Sequence, residues 1–305
     1  MKLYDSIIIG AGPAGLSAAI YLGRYNRSCL VIDLGWGRST THEINENYLG
    51  FPKGIHSTQL RELGRLQAER FGAEFIEDKI TSITKNNSYF HLSGGKKRFT
   101  GKTIILATGV TDLWPTFENF QDYLGRSLFW CITCDGHKTI GKKVVIVGDT
   151  DDTACTAMQF LNFTDKITFI TNQERSKHRL RKKWKKRLES ANIKIIEGKI
   201  DKVHGREGKF HFIELNHGIK VELDFMFNQQ GATPNSELAT ELGVDLNEAG
   251  YIKTNHEMRT NIPFVYAAGD VTRLHSHQVA LAVAEGATAG ETANYDLYRP
   301  EQKWT

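Results

Sequence analysis

One short run constrains the fold more than any other: Ile7-Ile8-Ile9 followed by Gly10-Ala11-Gly12-Pro13-Ala14-Gly15. Three consecutive β-branched residues read as a strand buried on both faces. The Gly-x-Gly-x-x-Gly turn opens a helical pattern from Leu16 to Tyr25. A second apolar run, Cys29-Leu30-Val31-Ile32, ends in Asp33, 23 residues after Gly10. Strand, glycine turn, helix, strand and acid in that order form a βαβ unit for a dinucleotide. Gly10 permits the tight turn, Gly12 lets a pyrophosphate approach the backbone, and Gly15 lets helix and strand pack. Pro13 and Ala14 start the helix, whose free N–H groups and dipole suit phosphate. Asp33 is placed to accept from an adenosine ribose hydroxyl.

The pattern recurs 138 residues later, where Val144-Val145-Ile146-Val147 ends in Gly148. A helix over 154–163 and a strand over 167–170 follow it. Between the two units, residues 55–75 carry apolar Leu60, Leu63, Leu66 and Phe71 at helical spacing, and 74–106 read as a β-meander leading into Ala107-Thr108-Gly109. A third apolar block, Phe264 to Asp270, precedes a helix over 278–295. The expected fold is α/β, with two Rossmann-like, three-layer ββα dinucleotide-binding domains. One is discontinuous, residues 1–114 and 245–305, and the other, 115–244, is inserted in it. A length of 305 residues suits two domains of roughly 150 each.

Lys and Arg number 39 against 35 Asp and Glu, a net charge of +4 too small and too mixed to argue for nucleic acid. No secretory pattern follows Met1-Lys2-Leu3, and no apolar run approaches the ~18 residues a membrane span needs. A cytoplasmic protein is expected. Four cysteines cannot make a disulfide scaffold in a chain of this length. Cys29 and Cys155 read as core residues, whereas Cys131-Ile132-Thr133-Cys134 reads as chemistry. Two thiols at this spacing can close a redox disulfide that exchanges electrons with other dithiols. A zinc half-site or inert buried thiols are the alternatives, and zinc normally takes four ligands.

Taken in order, Ala107-Thr108-Gly109, Phe129-Trp130-Cys131-Ile132-Thr133-Cys134-Asp135-Gly136, Ala268-Gly269-Asp270-Val271, Glu46-Asn47-Tyr48-x-Gly50 and Gly231-x-x-Pro234-Asn235 resemble the low-molecular-weight thioredoxin reductase family over essentially the whole chain. The resemblance implies FAD in the first site. Ala107, Thr108, Gly109, Gly269 and Asp270 would line it, with Asp270 on the ribityl chain. Asn47 would lie near the flavin, and His277, Gln278 and Val279 near its ring. It also implies that Cys134 faces the flavin, Cys131 attacks a thioredoxin-like disulfide, Asp135 is the acid/base, and the protein is a homodimer. No metal is expected.

The second glycine loop departs from that family. It reads Gly148-Asp149-Thr150-Asp151-Asp152-Thr153 where Gly-x-Gly-x-x-Ala is expected. Thr150 puts a side chain where a pyrophosphate must touch backbone, and Thr153 replaces a small packing residue. A carboxylate ~5 Å from a phosphate costs about 3 kcal/mol at an effective dielectric near 20. Thr171-Asn172-Gln173 also stands where His-Arg-Arg would clamp a 2′-phosphate. The loss of the NADPH site is therefore expected, as in the ferredoxin-linked and diflavin members. Nine Lys or Arg fall among the thirteen residues 175–187, beside His178 and Trp184 and without an acid. That run is either a solvated helix face or a docking surface for an acidic carrier such as ferredoxin; a second FAD is the other donor considered. Tyr295, Tyr298 and Trp304 are read as packing or tail residues rather than as a stack on a flavin, and His275 and His277 as hydrogen-bonding rather than proton-handling groups. A conventional NADPH-dependent reductase and a flavin-binding redox sensor without turnover are the alternatives.

Overall fold

The computed structural model describes residues 2–41, 43–86, 88–95, 97–115, 117–171 and 180–304. The chain forms two compact units. The first contains Met1–Thr40, Tyr48–Thr111 and Thr233–Thr305, and the second contains Thr41–Asn47 and Asp112–Ala232. Three segments fall differently from the boundaries read in the sequence. Residues 233–244, assigned there to the insert, cluster with the first unit, and Thr41–Asn47 and residues 112–114, assigned to the first domain, cluster with the second.

In the first unit, the strands Glu74–Glu77, Cys29–Asp33, Leu3–Ile9 and Lys97–Leu106 lie side by side in parallel. The C-terminal part of Lys97–Leu106 also pairs in parallel with Val265–Ala267, and its N-terminal part pairs antiparallel with the meander Ile80–Asn86 and Tyr89–Gly94. Strand residues alternate faces, and both faces are covered. Ile7, Ile9, Leu30, Ile32, Ile104 and Leu106 join the core containing Phe90, Leu92 and Phe99 of the meander side. Ile8, Val31, Ile105 and Tyr266 join the core under the helices.

Helices Pro13–Arg24 and Val279–Asp296 meet there at backbone distance. A Cβ on Gly286 would lie 2.0 Å from Ala14 O, and one on Gly290 would lie 2.8 Å from Ala18 O. Helix Ser57–Arg70 does not bury the face its leucines suggested. Leu63 and Leu66 are exposed, while Ala68 is buried and Gly64 takes the Leu16 side chain, with 3.1 Å from its would-be Cβ to Leu16 Cδ1. Small residues let this helix approach the first helix closely, and that approach decides the buried face over hydrophobic periodicity.

The second unit repeats the plan. Strands Leu128–Phe129, Phe225–Asn228, Val144–Val147, Ile167–Thr171 and Lys194–Glu197 form a parallel sheet. Val145 and Val147 face the core of the antiparallel sheet Ile200–Arg206, Lys209–Leu215 and Lys220–Glu222, and Val144 and Ile146 face Ala154, Ala157, Phe160 and Leu188 of the helices. The α/β fold with two three-layer units is thus as the sequence pattern required. The helix expected over 154–163 starts earlier, at Asp151, and runs to Gln159.

Candidate functional site

The first glycine turn packs tightly against its own chain. Gly10 has φ +106°, and a Cβ there would sit 2.3 Å from Ala107 O; a Cβ on Gly15 would sit 1.9 Å from Gly10 O. Both glycines are demanded by packing. Gly12 differs: it is the N-cap residue of Pro13–Arg24 and supplies no side-chain cap, and its would-be Cβ meets nothing nearer than Ser39 Oγ at 4.0 Å. With Pro13 in the first turn, where a missing N–H costs nothing, the helix N-terminus stays open to an anion. These residues fit the pyrophosphate of a dinucleotide.

Asp33 is held at the end of its strand. Its Oδ1 accepts from Ala11 N at 2.8 Å, its Oδ2 accepts from Gly35 N at 2.7 Å, and Arg61 Nη2 also bonds to Oδ2. Arg61 further donates to Ala11 O at 3.1 Å and Gly35 O at 2.9 Å. A carboxylate offers about four acceptor sites, so this clamp orients Asp33 while leaving capacity for a ribose hydroxyl. Arg61 had no sequence signal beyond its place in an amphipathic helix.

The other motifs of this unit interlock. Thr108 Oγ1 donates to Asn235 O at 2.6 Å, and Asn235 Nδ2 returns a bond to Thr108 O at 2.9 Å. Asn235 N also donates to Gly109 O at 3.0 Å. The Gly269 turn, with φ +82°, lies against Ala14 and is held by Glu285 Oε2, which accepts from Gly269 N at 2.7 Å. Glu285 is 6% exposed and pairs with Arg273. Arg38 Nη1 donates to Asp270 Oδ2 at 3.0 Å and to His277 Nδ1 at 2.7 Å, while His277 Nε2 donates to Arg273 O at 2.7 Å. One ring nitrogen donates to a carbonyl and the other accepts from a guanidinium, which is the pattern of a neutral imidazole. Gln278 stands at the N-cap position of Val279–Asp296 without a side-chain cap bond, and Asp270, His277, Gln278 and Val279 share one region. Neither Arg38 nor Glu285 lies in a motif that the sequence makes recognisable.

In the second unit, Cys131 and Cys134 are joined by a disulfide, with Cα atoms 5.3 Å apart. The pair follows the edge strand Leu128–Phe129 at the C-terminal end of the parallel sheet, where α/β folds place their chemistry. Gln229 Nε2 fixes the entry by donating to Trp130 O at 2.6 Å. Cys131 caps the short helix Ile132–Asp135, its Sγ accepting from Cys134 N at 3.1 Å. Gly136 is required because a Cβ would strike the Phe163 ring at 2.9 Å. Asp135 is 1% exposed. Asn47, expected near a flavin, is in this unit and donates to Cys134 Sγ at 3.9 Å. The remaining cysteines are free: Cys29 is buried, which pushes its thiol up to about 12, and Cys155 is half-buried. Among the described residues no His/Cys/Asp/Glu cluster could hold a metal ion.

The second glycine loop closes on itself. Thr150 caps helix Asp151–Gln159, its Oγ1 accepting from Thr153 N at 3.2 Å, with Thr153 Oγ1 at 3.0 Å. Thr153 Oγ1 in turn donates to Gln229 O at 3.2 Å. A Cβ on Gly148 would meet that hydroxyl at 2.6 Å. Asp151 accepts from Arg181 N at 3.0 Å and pairs with the Arg181 guanidinium. Burial opposes the Asp151 charge, but the Arg181 bonds outweigh it and hold the carboxyl below its ordinary range. Of the basic run, residues 175–179 lie outside the described residues, as do Asn172 and Gln173. Helix Lys182–Ser190 presents Lys182, Lys183, Lys186 and Arg187 to solvent, and Lys185 pairs with Glu197 at 2.9 Å.

Comparison with known proteins places the chain in a family. The family model described as pyridine nucleotide-disulphide oxidoreductase matches residues 4–286. A thioredoxin reductase of Treponema pallidum is 33% identical over 299 residues, covering 95% of this chain and 96% of that protein. One of Bacillus subtilis is 30% identical over 303 residues, covering 96% and 95%. The crystal structure of thioredoxin reductase from Streptococcus pyogenes superposes with a TM-score of 0.89 at 27% identity, over 97% of this chain and 98% of that one. No helix among the described residues is long and apolar enough to cross a membrane. The chain belongs to the pyridine nucleotide-disulphide oxidoreductase family, and within it is an FAD-dependent disulfide oxidoreductase of the thioredoxin-reductase kind.

Proposed function

We propose that this oxidoreductase takes its electrons from a donor other than NADPH and passes them through FAD to the Cys131–Cys134 disulfide and on to a thioredoxin-like protein. The carrying observation is the Thr150 cap on helix Asp151–Gln159. A protein hydroxyl occupies the N–H that a nucleotide pyrophosphate would need, and Asp151 and Asp152 add negative charge in the same turn. The exposed lysines of Lys182–Ser190 suit an acidic carrier such as ferredoxin, since complementary fields steer encounter. A second FAD is the other carrier this reading admits.

FAD supplies two-electron chemistry between donor and dithiol when bound. Gly10, Gly12, Pro13, Ala14 and Gly15 would hold its pyrophosphate, and Asp33 its adenosine ribose. Ala107, Thr108, Gly109, Gly269 and Asp270 would line the rest, with His277, Gln278 and Val279 at the ring. Reduction breaks the Cys131–Cys134 bond with two electrons and two protons. Cys131 then attacks a partner disulfide, and Cys134 resolves the mixed disulfide.

An NADPH-driven thioredoxin reductase is the second reading, favoured by the pyridine nucleotide in the family's description. Anaerobic titration of the purified yellow protein separates the two. Dithionite should bleach the flavin band while NADPH and NADH do not; stoichiometric bleaching by NADPH would establish the second reading instead.

A further inference from the structure

The residue one turn after the redox pair reaches back to it. Lys138 Nζ lies 2.9 Å from Asp135 Oδ1 and 3.2 Å from Glu46 Oε2. Glu46 belongs to the Thr41–Asn47 segment, which Arg126 Nε also anchors through Glu43 at 3.0 Å. The neighbour of Glu46 is Asn47, which donates to Cys134 Sγ. One ammonium therefore joins the buried acid of the Cys131–Cys134 helix to the segment that touches the sulfur.

We propose that Lys138 is a positioning residue for thiol–disulfide exchange, holding Asp135 as a charged proton acceptor beside Cys134. The inference rests on the reading of Cys131–Cys134 as the redox couple. Asp135 is 1% exposed, and a buried charge is costly to leave without a partner. Lys138 supplies that partner. Burial works against the lysine charge too, but the bonds and attraction of Asp135 and then Glu46 outweigh it, raising the Lys138 pKa above the ordinary value. Among the described residues, the groups facing this cluster include His137, whose Nε2 lies 3.3 Å from Glu46 Oε2, the amide of Asn47, and the Phe129 ring, 5.2 Å from Nζ.

The step balances in protons and electrons. After Cys131 has formed a mixed disulfide with the partner, the Cys134 thiol gives its proton to Asp135 and attacks Cys131 Sγ. The Cys131–Cys134 bond re-forms, the bond to the partner breaks, and the partner's sulfur leaves and receives the proton. An Asp135 already protonated could not take part.

The test uses the full-length holoprotein, reduced with a phosphine and then freed of it. Iodoacetamide labelling of Cys134, read by peptide mass spectrometry, gives a pH profile for wild type, Lys138→Met, Lys138→Gln and Lys138→Arg. Both neutral variants should displace the Cys134 profile from that of wild type, changing labelling at pH 7 by about tenfold for every pH unit that the profile moves, and Lys138→Arg should restore it. Infrared spectra should show a protonated-carboxyl band in Lys138→Met that vanishes when Asp135→Asn is added. Lys138→Gln keeps a donor without charge, so it covers the case in which Lys138→Met does not fold. Superimposable profiles in either neutral variant, or no carboxyl band, overturn the proposal. A wild-type pair that does not cycle in a thiol redox buffer overturns the redox reading and this inference together.

Discussion

Thr150 Oγ1 accepts a hydrogen bond from Thr153 N at 3.2 Å, so the N-terminus of helix Asp151–Gln159 in the second unit is capped by its own chain. In the first unit the corresponding helix begins at Gly12 with no side-chain cap. The two turns share a strand-to-helix plan and differ in whether a ligand is needed to complete them. A hydroxyl cap and acids in the first turn stabilise a helix start, and both features oppose a bound phosphate.

Thr150→Ala should lower the unfolding free energy of the second unit by about 1 kcal/mol, while Thr150→Gly should cost only a few tenths. Urea unfolding followed by circular dichroism measures this. Neither change should make NADPH bleach the flavin, since Asp151, Asp152 and Arg181 remain in place. Bleaching restored by Thr150→Gly alone would show that the cap was the whole barrier.

Gly12→Ala and Gly15→Ala should fail in different ways. The new Cβ at Gly12 enters open space, whereas at Gly15 it would lie 1.9 Å from Gly10 O. Gly12→Ala should therefore fold normally and purify with little flavin. Gly15→Ala should be destabilised by about 1–3 kcal/mol or more, the cost of overpacking. Melting temperature and the ratio of flavin to protein absorbance distinguish them. Full flavin content in folded Gly12→Ala would remove the pyrophosphate from this turn.

Glu285→Ala takes a buried acceptor from Gly269 N and the counter-ion from Arg273. Breaking one side of a buried pair typically costs about 3–5 kcal/mol, and partial exposure of Arg273 should place this variant toward the low end. Flavin content should fall with stability, because Gly269 and Asp270 lose their anchor. A chemical-denaturation midpoint equal to wild type would contradict that account.

Acid should destabilise the first unit through Asp296. Burial opposes its charge, but bonds from Arg259, at 2.8 and 3.1 Å, and from the Tyr266 hydroxyl, at 2.6 Å, outweigh it and hold the carboxyl below its usual range. Its folded pKa thus lies below the unfolded value of about 3.9. The stabilisation is present above that value and is lost as pH falls through the folded one. Urea midpoints measured from pH 7 to pH 3 should drop at the acid end. Asp296→Asn should lower the midpoint at pH 7 and flatten the acid drop; an unchanged slope would place the acid sensitivity elsewhere.

Features that depend on near neighbours are legible in the chain before it folds. Hydrophobic period, glycine spacing and capping are local, so both strand–turn–helix units, the Cys131–Cys134 pair and the altered Gly148–Thr153 loop could be read directly. Which distant residues complete each site emerges only on folding. Asn235 locks Thr108 across 127 residues, Arg38 reaches Asp270 across 232, and Asn47 joins the redox pair across 87. Contacts of that range arise from how sheets and helices stack. The same stacking reversed the local pattern in Ser57–Arg70, where Gly64 and Ala68 permit a closer approach than Leu63 and Leu66 would.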